Sequence, residues 1–149
     1  MLSKSYTNFS LEKILTLCSF FPSGEQFITG SDDTTNILFD LRTGRQLAMY
    51  RSDDVPTPTN DLAVSRSGRL LFTTHNDGIC RVWDTLRGNI VETMTNHDQR
   101  FSCVKISQDG HSIALGTWDS SIRVKFLSFT IIYHQSVFLQ VYLQVWGPK

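Results

Sequence analysis

The chain has 149 residues, of which 40% are apolar and 19% charged, enough for one folded domain or at most two small ones. Fourteen Lys and Arg balance fourteen Asp and Glu, so no long-range field draws the protein onto nucleic acid or anionic lipid. Cys18, Cys80 and Cys103 lie far apart without CxxC spacing, which argues against a zinc site or a disulfide framework and for reduced thiols.

Residues 1–19 carry no repeat motif, and Glu12 and Lys13 interrupt what would otherwise be the apolar region of a signal peptide. Residues 10–17 have a trace of helical spacing over a short length. From residue 20 three segments align. Gly24, Gly68 and Gly110 coincide, as do Asp33, Asp77 and Asp119, and Phe39 matches Trp83. The offsets are 44 and then 42 residues, inside the ~40–45 of a four-stranded propeller blade.

Each repeat reads as short strands. A Gly turn (Pro22-Ser23-Gly24, Arg66-Ser67-Gly68) precedes a strand at residues 26–30, 70–74 and 112–116. A tight turn carrying the Asp follows. Then an alternating strand ends on an aromatic and an Asp, at residues 37–40 and 80–84. Fourth strands are expected at residues 45–50 and 90–94. In its turn, each Asp can accept backbone N–H groups and bind a neighbouring imidazole. His97, before the strand at 101–107, is expected to be that imidazole for Asp119, as a buried structural pair rather than a catalytic dyad.

Trp83-Asp84 together with these repeats resembles the WD-repeat family of β-propellers. Phe20-Phe21-Pro22-Ser23-Gly24, Leu38-Phe39-Asp40-Leu41-Arg42, Val82-Trp83-Asp84 and Gly116-Thr117-Trp118-Asp119-Ser120 resemble more closely the last three repeats of the β subunit of heterotrimeric G proteins. The resemblance covers residues 20–124. It implies an all-β fold, a partial WD-repeat β-propeller with about three of seven four-stranded blades. Three blades cannot close the ring, so apolar faces and strand edges should stay open. It also implies a buried network of Asp33, Asp77, Asp119, His97, Trp83, Thr29 and Thr73. Two positions depart from the family: Ser52 stands where a histidine is usual, and Leu115 where a hydroxyl is usual.

The resemblance further implies a non-catalytic fragment of a G-protein β subunit in receptor signalling. Its partners would be α and γ subunits and effector proteins. It would use no cofactor, metal, nucleic acid or small-molecule substrate, and would sit in the cytoplasm at the inner face of the plasma membrane through its partners. Carried over by position, Trp118, Asp32 and Arg100 belong to the α-subunit and effector face, and Phe21, Pro22, Asp40 and Arg42 to the γ-facing side. Phe21 would serve equally well as core, and Asp40 as a turn cap. An alternative is a WD-repeat scaffold of another pathway, such as a ubiquitin-ligase substrate receptor. P-loop, Gly-x-Ser-x-Gly and His-Glu-x-x-His motifs are absent from the sequence, and the four histidines lack ligand spacing.

The tail, residues 125–149, is atypical. Lys125 stands where the third repeat needs an aromatic, and Val145-Trp146-Gly147-Pro148-Lys149 follows 21 residues later. Removing residues 124–144 gives Ser-Ile-Arg-Val-Trp and puts Trp146 at the offset of Trp83. The expectation is a retained intron, in frame at 21 codons. An extra strand or a hydrophobic tail is the alternative. A transcript that carries this segment at normal abundance would dismiss the intron. Residues 126–145 are apolar but hold His134, Gln135, Gln140 and Gln144, which argues against a membrane span.

Overall fold

The computed structural model describes residues 15–95, 99–127 and 141–144, with backbone alone at residues 15, 16 and 141–144. Twelve strands are present among them: β1 Leu15–Phe20, β2 Gln26–Ser31, β3 Asn36–Asp40, β4 Gln46–Tyr50, β5 Thr59–Val64, β6 Leu70–His75, β7 Ile79–Asp84, β8 Ile90–Thr95, β9 Phe101–Ile106, β10 Ser112–Thr117, β11 Ser121–Phe126 and β12 Val141–Gln144. They form three four-stranded antiparallel meanders in the orders β1-β2-β3-β4, β5-β6-β7-β8 and β9-β10-β11-β12. The architecture is all-β, a partial propeller of three blades. The trace of helical spacing at residues 10–17 gives way to strand from Leu15 onward. The apolar run that follows pairs with β2, and that tertiary pairing overrides local propensity.

Alternation along each strand splits the apolar residues between two faces. Ile28, Leu38 and Tyr50 of the first sheet pack on Leu62, Leu71 and Trp83 of the second. Phe72, Val82 and Met94, on the other face of the second sheet, pack on Val104, Ile113 and Leu115 of the third. The second sheet is therefore sandwiched, and its strands are buried almost throughout β6 and β7. Phe27 and Phe39 stack at 5.1 Å on the remaining face of the first sheet. Ile122 and Phe126 stay 40% and 49% exposed in the third.

The turn glycines are set by backbone geometry. Gly24, Gly68 and Gly110 all have φ between 71° and 77°, the left-handed region that glycine enters without strain. In these turns the N–H of each glycine reaches back three residues, to the carbonyls of Phe21, Ser65 and Ser107 at 2.8–2.9 Å. A Cβ built on Gly68 would lie 3.5 Å from the Phe21 ring, and one on Gly110 would lie 3.5 Å from the Arg66 Cβ. The three turns therefore stand side by side at one end of the sheets.

β12, Val141–Gln144, is drawn from the segment that the sequence marks as a retained intron. It pairs antiparallel with β11, Ser121 opposite Gln144 and Val124 opposite Val141. Trp146 lies outside the described residues.

Candidate functional site

Meander topology gives each sheet two ends. One rim carries the turns that join β1 to β2, β3 to β4, β5 to β6, β7 to β8 and β9 to β10. The opposite rim carries the β2–β3, β6–β7 and β10–β11 turns and the loops between sheets.

The three repeated aspartates share one geometry on that opposite rim. Asp33 Oδ1 accepts the backbone N–H of Thr35 at 3.0 Å. Asp77 Oδ1 accepts that of Ile79 at 3.0 Å, and Asp119 Oδ1 that of Ser121 at 3.0 Å. Each carboxylate thus closes a tight turn onto the residue two positions on. The hydroxyl of Ser121 at 2.6 Å, and then that of Thr117, hold the Asp119 carboxyl below its ordinary pKa. Asp77 also takes the guanidinium of Arg81 at 2.7 Å. His97 lies outside the described residues.

The buried network centres on the second sheet and contains a residue that motif spacing did not single out. Trp83 Nε1 donates to Thr73 Oγ1 at 2.9 Å. His75 Nε2 lies 2.9 Å from the same hydroxyl, and His75 Nδ1 lies 3.0 Å from the Thr57 carbonyl. A carbonyl only accepts, so Nδ1 carries the proton and Nε2 accepts the Thr73 hydroxyl. His75 and Thr73 are two residues apart on β6 and so share a face. That spacing was the available signal. The hydroxyl of Ser52, in the usual histidine place, accepts the N–H of Asp54 at 3.3 Å. In the first sheet Thr29 donates to the Ile37 carbonyl at 3.4 Å. In the third, Leu115 fills the hydroxyl's place as plain core.

The two sets of candidate contact residues fall on different rims. Trp118, Asp32 and Arg100 are all exposed on the rim of the Asp turns, Trp118 at 67%. The N–H of Trp118 donates to the Arg100 carbonyl at 3.1 Å, which places these two side by side, while Asp32 stands two sheets away. Asp53 and Asp54 are exposed in the loop between β4 and β5 on the same rim. On the opposite rim, Pro22 and Arg42 are exposed and Asp40 is half-buried. Asp40 caps its turn by accepting the Thr43 N–H at 2.6 Å, the main reason its pKa lies below the ordinary value. Phe21 is 7% exposed and belongs to the core between the first two sheets. It supports this rim from beneath.

No group of three or more His, Cys, Asp or Glu among the described residues is arranged to hold a metal ion. Burial pushes the Cys80 thiol up to about 12, so it stays protonated as a packing residue. Among the described residues no helix is long and apolar enough to cross a membrane.

Comparison with known proteins agrees with this architecture. A family model described as WD domain, G-beta repeat matches residues 5–40, 47–84 and 88–124. The first match begins upstream of the motifs at Phe20. The chain is similar to the guanine nucleotide-binding protein subunit beta of Zea mays, 45% identical over 115 residues, 70% of this chain and 30% of that protein. It is similar to the Arabidopsis thaliana subunit beta at 43% identity over 112 residues, again 70% and 30%. Subunit beta-5b of Danio rerio is 41% identical over 105 residues, 70% of this chain and 27% of that protein. The chain thus spans about 30% of the length of these relatives. Among solved structures, the β-propeller domain of Myceliophteria thermophila Cps50 (Swd1) covers 90% of this chain, with 41% of that structure matched. Its TM-score of 0.71 at 17% identity marks a shared fold.

Proposed function

The chain belongs to the WD40 family of G-beta repeats, and from that premise we propose that it serves as part of a G-protein β subunit, a non-catalytic platform for protein partners. The reading rests on one observation. Residues that correspond to two different partner surfaces in the resembling family stand on opposite rims of one rigid stack of sheets. Such a stack holds two partners at once without moving.

On one rim Trp118 is the anchor for an α subunit or effector. Its ring is large, exposed and held by a turn that Asp119 closes. An aromatic presented this way loses little entropy on burial. Arg100 beside it and Asp32 across the rim supply polar contacts. On the other rim Pro22, Asp40 and Arg42 form the γ-facing surface. Localisation at the inner face of the plasma membrane then follows from the partners.

Co-purification with an α and a γ subunit tests this reading. Trp118→Ala should weaken α binding by at least ~10-fold, the effect of losing an interface anchor. Arg42→Glu should weaken γ binding and leave α binding intact. Failure of the chain to bind either subunit would discard the proposal.

A further inference from the structure

The chain is neutral overall, yet the fold sorts its charges by rim. The rim of the Asp turns exposes Asp32, Asp53, Asp54 and Asp119 against Arg51 and Arg100. The rim of the glycine turns holds Arg42 and Arg45 in the β3–β4 turn, Arg66 and Arg69 in the β5–β6 turn and Arg87 in the β7–β8 turn. The carboxylates of Glu25, Asp40 and Asp109 stand at this end of the first and third sheets. In the second sheet the carboxylate is Asp84, which is buried and met by the Arg69 guanidinium at 3.0 Å. That leaves Arg66 and Arg87 exposed at the end of the second sheet, with Arg45 exposed at the end of the first. None of these three forms an ion pair among the described residues.

The same end presents apolar tips. Leu86, in the β7–β8 turn beside Arg87, is 78% exposed, and Phe20, which ends β1, is 66% exposed. Phe126, which ends β11, is exposed as well. The turns that carry these side chains are joined. The Leu41 N–H donates to the Glu25 carbonyl and the Thr85 N–H to the Arg69 carbonyl, both at 2.9 Å, which ties the outer turns of the first two sheets to the inner ones. Gly68 against the Phe21 ring and Gly110 against Arg66 then link the three sheets.

We propose that this rim docks directly on an anionic lipid bilayer, with Arg45, Arg66 and Arg87 on the headgroups and Leu86 and Phe20 dipping into the interface. Charge and shape both favour a bilayer over a protein partner. The apolar side chains are separate tips, one to each sheet, with arginines between them. A fluid interface takes up such tips one by one, whereas a protein needs a matching hollow for each. The charge of a lipid surface acts within about one Debye length, ~8–10 Å. The acidic rim lies a strand's length away, ~20 Å for six residues, so the near rim governs the attraction although the chain is neutral. The surface overlaps Pro22, Asp40 and Arg42 of the γ-facing side, so lipid and that partner would exclude one another. The proposal depends on neither subunit, and its test uses the chain alone.

Sedimentation with phosphatidylcholine vesicles, with and without about 30% phosphatidylserine, at ionic strengths of about 0.1 M and about 0.5 M, tests it. The chain should bind the phosphatidylserine vesicles, ignore the neutral ones and be released by the higher salt. Arg66→Ala should weaken binding about fivefold, the worth of one arginine near a charged bilayer, and alanine at Arg45, Arg66 and Arg87 together about a hundredfold. Arg51→Ala changes the net charge equally on the other rim and should leave binding unchanged. Leu86→Gln, neutral and of similar size, should cost about tenfold. All these side chains are exposed, so the core is untouched. No binding to phosphatidylserine vesicles, equal binding to both kinds, equal losses in Arg51→Ala and Arg66→Ala, or no loss in Leu86→Gln overturns the proposal. Should a variant fail to fold, the lipid and salt dependence of the native chain decides.

Discussion

The second and third sheets are built on one repeat and diverge at the end of their third strands. In the second sheet that position is Trp83, 1% exposed, hydrogen-bonded to Thr73 and edge-on to Tyr50 at 6.3 Å. In the third it is Lys125, whose ammonium meets Glu92 of β8 at 2.6 Å with both side chains largely buried. The register of the third sheet survives the exchange, with Ile113 opposite Lys125 and Leu115 opposite Arg123. Strand pairing is therefore carried by the turns and the apolar alternation. The aromatic and its hydroxyl add packing and specificity to a frame already in place.

The sharpest way to break this comparison is Trp83→Ala. Deleting a fully buried indole should cost ~3–5 kcal/mol, and it also leaves the Thr73 hydroxyl short of a donor. Chemical denaturation would measure it. A loss near that of an average surface substitution would mean that Trp83 and Lys125 do equivalent work. Trp83→Phe keeps most of the apolar volume, loses the hydrogen bond and should fall well short of the alanine variant.

Next comes the ion pair. Lys125→Met strands Glu92 in a largely buried position and should cost ~3 kcal/mol, the usual penalty for an uncompensated buried charge. Adding Glu92→Leu should recover most of it, because two packed apolar side chains replace the pair. A double variant as unstable as the single one would show that the attraction itself holds β11 to β8.

Acid separates the two sheets again. His75 belongs to the second sheet alone, and its depressed pKa withdraws stability as pH falls below the ordinary imidazole value. Asp84, lowered chiefly by Arg69, and Asp119, lowered chiefly by Ser121, are shifted in the same direction but act at a lower pH. Their contributions are present above the ordinary carboxylate value of ~3.9 and are lost below it. Unfolding free energy should therefore decline in two steps. His75→Gln should flatten the first and leave the second.

The second and third strands of each repeat were legible because they are bounded by residues with one physical purpose. Gly24, Gly68 and Gly110 supply the left-handed turn, and Asp33, Asp77 and Asp119 close the next one. Of the first strands, that at residues 101–107 was legible and the other two were not. Leu15–Phe20 overlaps residues 10–17, whose spacing carries a trace of helix, and Thr59–Val64 places Thr, Asn and Asp in a strand. Asn60 is satisfied there by reaching Asn76 of the β6–β7 turn and, in the third sheet, the Phe101 carbonyl, and Asp61 by the Val104 N–H of the third sheet, contacts that no local pattern reveals. His75 escaped for a related reason. The family's histidine position holds Ser52, whereas the fold draws its imidazole from two residues beyond Thr73. Phe21 was legible as an aromatic at a turn, but whether it faces core or partner depends on Gly68 of the neighbouring sheet.

The smallest expected effects lie in the β2–β3, β6–β7 and β10–β11 turns. Thr34, Gly78 and Ser120 occupy equivalent places, with φ of 72°, 75° and 64°. Only the second sheet has the residue that this conformation favours. A β-branched threonine there stores ~1 kcal/mol of strain, and serine somewhat less. Glycine relieves that strain but adds freedom to the unfolded chain, which takes back about half of the gain. Thr34→Gly should thus stabilise by a few tenths of a kcal/mol, and Ser120→Gly should be close to neutral. Gly78→Ala should cost ~1 kcal/mol, since it imposes on the second sheet the strain that its neighbours carry. Thermal unfolding of the three variants would order them. If Gly78→Ala proved harmless, the left-handed turn would not be what distinguishes the best-formed sheet, and the buried network around Trp83 would carry that difference alone.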